Sequence, residues 1–242
     1  MTNRAWVIGA ITMLGATSLR AQGSMGTLPA NSFGGTGIST ESVVVQNYNS
    51  GAVVLGLSAH TRCQSNSVSY ATCDMPGPVT NNGANTFFAL AGGNSIVPDV
   101  QGGTTFSGTL ARWNFAYSIS GSGVANYNYK LLYDFNPAVG NALAGGWAWN
   151  GFGFGGSQNL GFGFLATGFS QYGVTGTGPG GSFNPATPGE HTFRLEAYDA
   201  NSTMVAYSAM NVVTSVPEPS SYALMAAGLG ALLVVRRRRR TV

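Results

Sequence analysis

Charged residues are scarce in this sequence, where Asp, Glu, Lys and Arg make up 8% of 242 residues, and it has only two cysteines and two histidines. Outside its two ends the chain shows no long helical periodicity and no internal repeat of fixed spacing. Aromatic and β-branched residues are plentiful, which argues against an acidic disordered segment. Glycine is abundant instead, with 36 residues. This composition indicates an exported, β-rich protein with many turns.

The few basic residues are concentrated at the ends of the chain. The net charge is +3 overall, and five of the 11 Lys and Arg residues form one run at 236–240. Between Gln22 and Val216, four basic residues stand against seven acidic ones, which leaves a net charge of −3. A mildly acidic body argues against nucleic acid as a partner, because phosphate binding needs clustered Lys and Arg.

The N-terminus has the layout of a secretory signal peptide. Arg4 supplies a positive charge, residues 5–19 are mostly apolar, and Ala21 provides a small residue for cleavage. An apolar stretch of this length with these flanks is typical of a signal helix that is removed on export. We therefore predict a signal peptide over residues 1–22.

The two cysteines lie close together, at Cys63 and Cys73. In an exported chain, such a pair is most simply a local disulfide that closes a hairpin or loop. The alternative is a metal site formed with His60 and Asp74, but this spacing matches no strong zinc pattern. We predict the disulfide, and no metal or cofactor.

The body of the chain has the pattern of a single all-β domain. Residues 23–40 are small, polar and Gly-rich, which predicts a flexible leader or a loosely ordered first strand. The apolar runs 43–45 and 53–57, split by a turn sequence, predict two strands. A hairpin around "DANST" closes the domain. We predict an antiparallel β-sandwich over residues 41–214, immunoglobulin-like or jelly-roll-like, flanked by the N-terminal signal helix and a C-terminal transmembrane helix.

Aromatic residues alternate with glycine in one part of the body. They are Trp147, Trp149, Phe152, Phe154, Phe162 and Phe164. A period of two over glycine predicts strands with one aromatic face. The simpler interpretation is that these rings fill the core of the sandwich. The alternative is an exposed platform, centred on Trp147 and Trp149, on which sugar rings stack.

Catalytic patterns are weak in this sequence. His60 and His191, placed at predicted strand edges or turns, have no evident Ser or Asp partners, and there is no Gly-x-Ser-x-Gly elbow. Asp134 and Glu196 are a conceivable carboxylate pair for glycoside cleavage, but the sequence does not show their separation. We therefore predict that the protein is not an enzyme.

The C-terminal tail, residues 215–242, has three parts in a fixed order. A Pro-Glu-Pro triplet at Pro217, Glu218 and Pro219 is followed by an apolar segment, 222–235, of 14 residues. As a helix this segment is roughly 21 Å long, which is short for a membrane span but sufficient if arginine stems reach the interface. The last part is the arginine cluster of Arg236, Arg237, Arg238, Arg239 and Arg240. Its charge predicts a cytoplasmic C-terminus, because positive flanks stay inside.

This tripartite tail closely resembles the PEP-CTERM sorting signal of bacterial exported proteins. The resemblance implies export through the general pathway, brief membrane anchoring by the tail, and processing by an exosortase that recognises the triplet. It further implies a final place on the cell surface or in the extracellular matrix, in association with exopolysaccharide. The body is similar to poorly characterised proteins of this group through "ARWNFAYSIS", "YNYKLLYDFNP" and "SQNLGFGFLA". The expected function is therefore that of a non-catalytic surface or matrix protein. A lectin-like carbohydrate-binding module, or more remotely a glycan hydrolase, is the alternative.

Overall fold

A computed structural model describes residues 23–34, 38–61, 79–94, 110–171 and 173–216 of the chain. The predicted signal peptide, both cysteines and the tail from residue 217 onward lie outside these residues, so the structure does not test their assignments. The described part is mostly β, with two main sheets that pack as a sandwich. In this part no helix is long and apolar enough to cross a membrane.

The described residues form fifteen strands and one short α-helix. The strands are β1 Ser24–Gly26, β2 Val43–Tyr48, β3 Val53–Thr61, β4 Thr80–Asn81, β5 Thr86–Leu90, β6 Gly93–Asn94, β7 Leu110–Ala111, β8 Trp113–Ser120, β9 Asn128–Tyr133, β10 Gly145–Asn150, β11 Gly155–Gln158, β12 Phe169–Gln171, β13 Val174–Thr177, β14 Gly189–Tyr198 and β15 Met204–Ser215. The helix α1 spans Gly163–Thr167, and a 3-10 turn spans Val124–Asn126.

The strands are arranged in a five-stranded sheet with order β1-β2-β3-β8-β11 and an eight-stranded sheet with order β12-β13-β10-β9-β14-β15-β5-β4. Strands β6 and β7 form a small separate pair. Neighbouring strands are antiparallel except β5 and β15, which run in the same direction. The sequence prediction of an antiparallel sandwich is therefore wrong at this pair. Strand β5 lies beside β15, although nine strands separate the two along the chain.

The core lies between the inner faces of the two sheets. Phe115 of β8 packs on Phe193 of β14, with ring centroids 4.7 Å apart. Nearby, the buried Ser208 hydroxyl of β15 donates a 2.7 Å hydrogen bond to the Val44 carbonyl of β2, which ties one sheet directly to the other. Because successive side chains of a strand point to opposite faces of the sheet, every second residue of these strands points into this layer.

The first described segment is part of the sandwich. Strand β1 pairs with β2, and Leu28 and Phe33 are 5% and 1% exposed. Both side chains pack on the outer face of the five-stranded sheet, against Val43 and Ala116. The expectation of a flexible leader is wrong for residues 23–34, because these apolar side chains cover a sheet face that water would otherwise wet.

One end of the sandwich leads into the C-terminal tail, and the opposite end carries the β14–β15 turn. At the tail end, Ser215 terminates β15, and its carbonyl accepts a 2.8 Å hydrogen bond from the Ala91 amide. At the far end, Asp199 caps the β14–β15 turn, and its carboxylate accepts the amides of Asn201 and Thr203 at 2.9 Å. The predicted "DANST" turn is confirmed. It lies at the end of the domain opposite Ser215.

Candidate functional site

Trp147 and Trp149 both belong to β10 and point into the sandwich. They are only 3% and 2% exposed, so neither offers a surface on which a sugar ring can stack from solvent. The alternative prediction of an exposed platform for sugar rings is therefore wrong for these two residues. The physical reason is that β10 lies between β9 and β13, and its inner row faces the opposite sheet. The alternative that these rings fill the core describes them correctly.

The aromatic alternation does not continue as strands after β10. Gly151 has a φ of +71°, which turns the chain out of the sheet. Phe152 and Phe154 lie in a loop, and Phe164 lies in α1. All three rings are half-buried against the core. The strand prediction is wrong here, because period-two spacing of aromatics also occurs in a Gly-rich loop that folds back on the sheet.

These segments border a cavity of about 350 Å³, which we call the aromatic cleft. It lies at the side of the sandwich, between the β8–β11 edge of one sheet and the β10–β13–β12 edge of the other. The lining residues are Tyr117, Trp147, Phe152, Phe154, Gln158, Phe164, Phe169, Gln171 and Val174. None of these side chains carries a charge. The cleft is therefore built for shape and apolar contact.

Two glycines, Gly176 of β13 and Gly156 of β11, let aromatic rings from neighbouring strands approach the backbone closely. A Cβ atom at Gly176 would lie 2.7 Å from the Phe169 ring and 3.2 Å from Trp147. A Cβ atom at Gly156 would lie 2.8 Å from the Tyr117 hydroxyl. Glycine in a strand interior often marks such a close approach. These residues therefore account for part of the Gly-rich composition of this region.

The walls of the cleft are held by edge-to-face ring contacts. Trp147 meets Phe169 at 5.2 Å and 88°, and Tyr117 at 5.5 Å and 87°. Phe164 meets Phe169 at 5.5 Å and 86°. Each such pair adds about 0.5–1.5 kcal/mol beyond its buried area. These contacts join β8, β10, β12 and α1 around the cleft.

Two polar groups are buried within this apolar surface, the Tyr117 hydroxyl and the Trp147 indole N–H. The Tyr117 hydroxyl is fully buried and has no hydrogen-bond partner of good geometry. Burial raises the pKa of this phenol well above its ordinary value, and the side chain of Gln158 opposes only part of the rise. Tyr117 is thus a neutral donor at physiological pH.

A second, polar depression lies on the outer face of the eight-stranded sheet, near the far end. We call it the polar groove; its volume is about 240 Å³, and it is lined by Asn128, Tyr129, Lys130, Ala148, Asn150, Tyr198 and Ser202. The Lys130 ammonium lies 4.8 Å from the centre of the Tyr198 ring. Asn128 and Asn150 face each other across β9 and β10. Amides, a hydroxyl, an ammonium and a ring therefore meet in one place.

Glu196 holds one wall of the polar groove. It is 1% exposed, and its carboxylate accepts a 2.6 Å hydrogen bond from the Tyr198 hydroxyl and lies 2.6 Å from Arg194 Nε. These two contacts compensate the cost of burying the carboxylate. The role of Glu196 is therefore to orient Tyr198.

Asp134 is the other carboxylate that the sequence suggested, and it lies inside the domain beside His191. Its Oδ1 is 4.0 Å from His191 Nδ1, and both residues are 2% exposed. Burial raises the pKa of Asp134 to about 6, opposed by hydrogen bonds from Asn141 and the Thr192 backbone, and Glu190 adds to the rise. Burial lowers the pKa of His191 to about 4. Glu196 pairs with Lys130, four residues before Asp134 along the chain, which separates the two backbone positions by about 13 Å.

His60 has a partner that the sequence did not reveal. Its Nε2 lies 2.8 Å from the Ser157 hydroxyl, 97 residues away, and Asn114 donates to the same hydroxyl at 3.2 Å. Asn114 in turn accepts a 2.8 Å bond from buried Asn159. Burial lowers the pKa of His60. His60 is therefore part of a polar network across β3, β8 and β11, which only strand pairing could bring together.

The remaining predicted sites concern metal ions and the tail. Across the described ranges no three His, Cys, Asp or Glu residues are grouped to hold a metal ion. The predicted partners of His60 in a metal site, Cys63, Cys73 and Asp74, lie outside those ranges. Sequence reasoning missed Tyr117 and Ser157 as site residues, since nothing local distinguishes them.

The tail was compared with protein-family models. The model described as the PEP-CTERM protein-sorting motif matches residues 215–240. The chain carries a PEP-CTERM sorting signal. This signal begins at the last residue of β15 and covers about a tenth of the chain. It supports export, processing by an exosortase, and sorting to the cell surface or the extracellular space. No curated protein and no solved structure matches the chain.

Proposed function

We propose that this protein is a non-catalytic component of the bacterial surface or extracellular matrix, associated with exopolysaccharide and held briefly at the membrane by its PEP-CTERM tail. The supporting observation is the junction between the sandwich and the sorting signal. Ser215 is both the last residue of β15 and the first residue of the matched motif. The folded domain is therefore joined to its sorting signal with no intervening spacer.

The junction is firmly held on the side of the sandwich. Thr214 pairs with Gly189 of β14, and Ser215 pairs with Leu90, the last residue of the parallel strand β5. The tail end of the domain therefore faces the membrane as long as the tail is attached, and the far end points away from it. In this proposal the arginine cluster stays on the cytoplasmic side, and the whole sandwich lies outside.

The arrangement of the ionisable residues supports a role in binding or packing and not in catalysis. Glu196 is engaged by Arg194 and Tyr198, and Asp134 is enclosed with His191. A glycoside hydrolase needs two carboxyl groups that flank one bond, about 5–10 Å apart and in the same cleft. The offset of four residues between Asp134 and Lys130, the strand partner of Glu196, does not support that arrangement.

The test is to express the full chain in a host with and without the cognate exosortase. We expect the mature mass to lose Arg236–Arg240 only when the exosortase is present, and the processed protein to co-purify with exopolysaccharide. A matched variant, Pro217→Ala combined with Pro219→Ala, should keep the unprocessed mass. If the arginines remain in both hosts, the sorting part is wrong; if the processed protein never accompanies polysaccharide, the matrix part is wrong.

The alternative function is a lectin-like module, and the polar groove is the observation that favours it. Its paired amides, hydroxyl and Tyr198 ring have the hydrogen-bonding and stacking chemistry that sugars need. A glycan array would compare the native chain with Asn150→Ala, and with Asn201→Ala, which changes an exposed residue outside the groove, as the control. Loss of a sugar signal only in Asn150→Ala would support this alternative, whereas a flat array would count against it.

A further inference from the structure

We propose that the aromatic cleft binds a small planar aromatic molecule that carries one hydrogen-bond acceptor, with that acceptor placed at the Tyr117 hydroxyl. This inference does not depend on the proposed matrix role. It rests on the size of the cleft, the chemistry of its walls, and the buried Tyr117 hydroxyl.

The size of the cleft sets the scale of the ligand. An engineered apolar cavity of about 150 Å³ in another protein is filled by benzene. The aromatic cleft has about 350 Å³, roughly twice that volume. A molecule with two fused rings and a short substituent fits this space. A single ring would leave part of it empty, and a polymer would need a longer groove.

The walls favour an aromatic molecule over a sugar. Six of the lining residues are aromatic, Val174 is aliphatic, and only Gln158 and Gln171 add side-chain amides. A sugar would bring several hydroxyl groups against this surface, and each buried hydroxyl without a partner costs about 1–3 kcal/mol. A flat apolar molecule pays no such cost and gains edge-to-face contacts with Phe169 and Phe164.

Tyr117 defines where the polar atom of the ligand sits. A buried hydroxyl without a good partner costs about 1–3 kcal/mol in a folded protein. The raised pKa keeps this phenol protonated, so it can donate. A ligand acceptor at this point would recover the missing hydrogen bond. A ligand without an acceptor would not form a hydrogen bond with this hydroxyl.

Gln171 marks the mouth of the cleft. It lines the cavity and is exposed, whereas Val174 at the base of the same wall is 5% exposed. Ser170 is also exposed but points to the opposite face of β12, because side chains alternate along a strand. The two positions therefore form a matched pair. Added bulk at Gln171 blocks the entrance, and the same bulk at Ser170 does not.

The experiment uses the full chain in lipid nanodiscs and two probes of similar shape, 2-acetonaphthone and 2-ethylnaphthalene. Equilibrium dialysis measures binding, with empty nanodiscs subtracted. We expect saturable binding of both probes, with the ketone about threefold to tenfold tighter because it gains one hydrogen bond. Gln171→Trp should abolish binding, and Ser170→Trp should leave it unchanged. Tyr117→Phe should reduce the preference for the ketone to about one while 2-ethylnaphthalene still binds.

Three results would overturn the proposal. One is the absence of saturable binding for either probe. Another is equal loss of binding in Gln171→Trp and Ser170→Trp, which would mean that the cleft is not the site. The third is tighter binding of methyl β-glucoside than of the naphthalenes, with loss in Gln171→Trp, which would make the cleft a sugar site. Thermal unfolding of each variant checks that the sandwich remains folded.

Discussion

At the scale of single residues, the buried polar side chains have roles that only their neighbours define. Asn159 is an example, because it is fully buried and yet sits in an irregular segment after β11. Its amide oxygen accepts the backbone amides of Ala111 and Gly161 at 3.0 Å, and its nitrogen donates to the carbonyls of Ala111 and Trp113 at 2.9 Å. One side chain thus replaces strand pairing where β11 ends.

Asn159→Ala should therefore destabilise the protein strongly. The change leaves the buried Ala111 amide and the half-buried Gly161 amide without their acceptor and removes the donor to two carbonyls, at about 1–3 kcal/mol for each buried group. We expect the free energy of unfolding to fall by about 2–4 kcal/mol, measured by urea denaturation of the full chain with tryptophan fluorescence. Asn201→Ala, an exposed change of the same size, should shift it by less than about 0.5 kcal/mol. Similar effects from both variants would contradict the role assigned to Asn159.

The buried Asp134 and His191 should have opposite effects on the pH dependence of stability. Between about pH 4 and 6, folded Asp134 holds a proton that the unfolded chain has lost, so its contribution to stability falls as pH rises. Between about pH 4 and 6.5, folded His191 lacks a proton that the unfolded chain holds, so its contribution increases as pH rises. In the native chain the two effects largely cancel over this range.

Removing one partner should uncover the effect of the other. From pH 4.5 to 6, Asp134→Asn should gain stability and His191→Gln should lose it, each by about 1 kcal/mol or more. Urea denaturation at the two pH values measures this. Parallel pH profiles in the two variants would show that the pair does not titrate as described.

At the scale of elements, glycine determines how closely neighbouring segments pack. Helix α1 lies on the end of β13, and a Cβ atom at Gly178 would collide with the backbone carbonyl of Ala166. A backbone atom cannot move aside as a side chain can. At Gly163, at the start of the same helix, an added Cβ would have no heavy atom within 4 Å.

Gly178→Ala and Gly163→Ala should therefore have different outcomes. The first should cost about 1–3 kcal/mol, because α1 must shift away from β13. The second should be neutral or stabilising by up to about 1 kcal/mol, because alanine favours helix more than glycine does. Thermal unfolding of the two single variants compares them directly. If Gly178→Ala is as stable as the native chain, the close packing of α1 is wrong.

At the scale of the whole molecule, the described sandwich lies between the predicted signal peptide and the sorting signal. It begins just after the predicted signal peptide and ends where the sorting motif begins. The segment from 23 to 34 is therefore structural, and a change there should affect the entire sandwich.

Phe33→Ala tests this. Phe33 is 1% exposed on the outer face of the five-stranded sheet, and removing a buried aromatic ring costs about 3–5 kcal/mol. We expect a single cooperative unfolding transition that is shifted to lower urea concentration. The control is Phe88→Ala, since Phe88 is 44% exposed and its loss should cost under about 1 kcal/mol. A leader that unfolds separately, with no change in the main transition, would contradict the assignment.

Much of the fold was predictable because short-range patterns carry it. The strands at 43–45 and 53–57 follow from apolar runs and turn residues, and each lies in a strand of the structure. The parallel placement of β5 beside β15 was not predictable, because no local pattern records which strand a distant segment will join. The same holds for the contact between His60 and Ser157.

The sequence by itself determined the β-rich class and the sorting signal, since alternation, turn chemistry and a contiguous tail motif are all local features. The tertiary structure alone decided the position of each aromatic ring. Trp147 and Trp149 have the same pattern whether they face water or the opposite sheet. Only the packing of two sheets buries both rings and places the buried Tyr117 hydroxyl at the aromatic cleft.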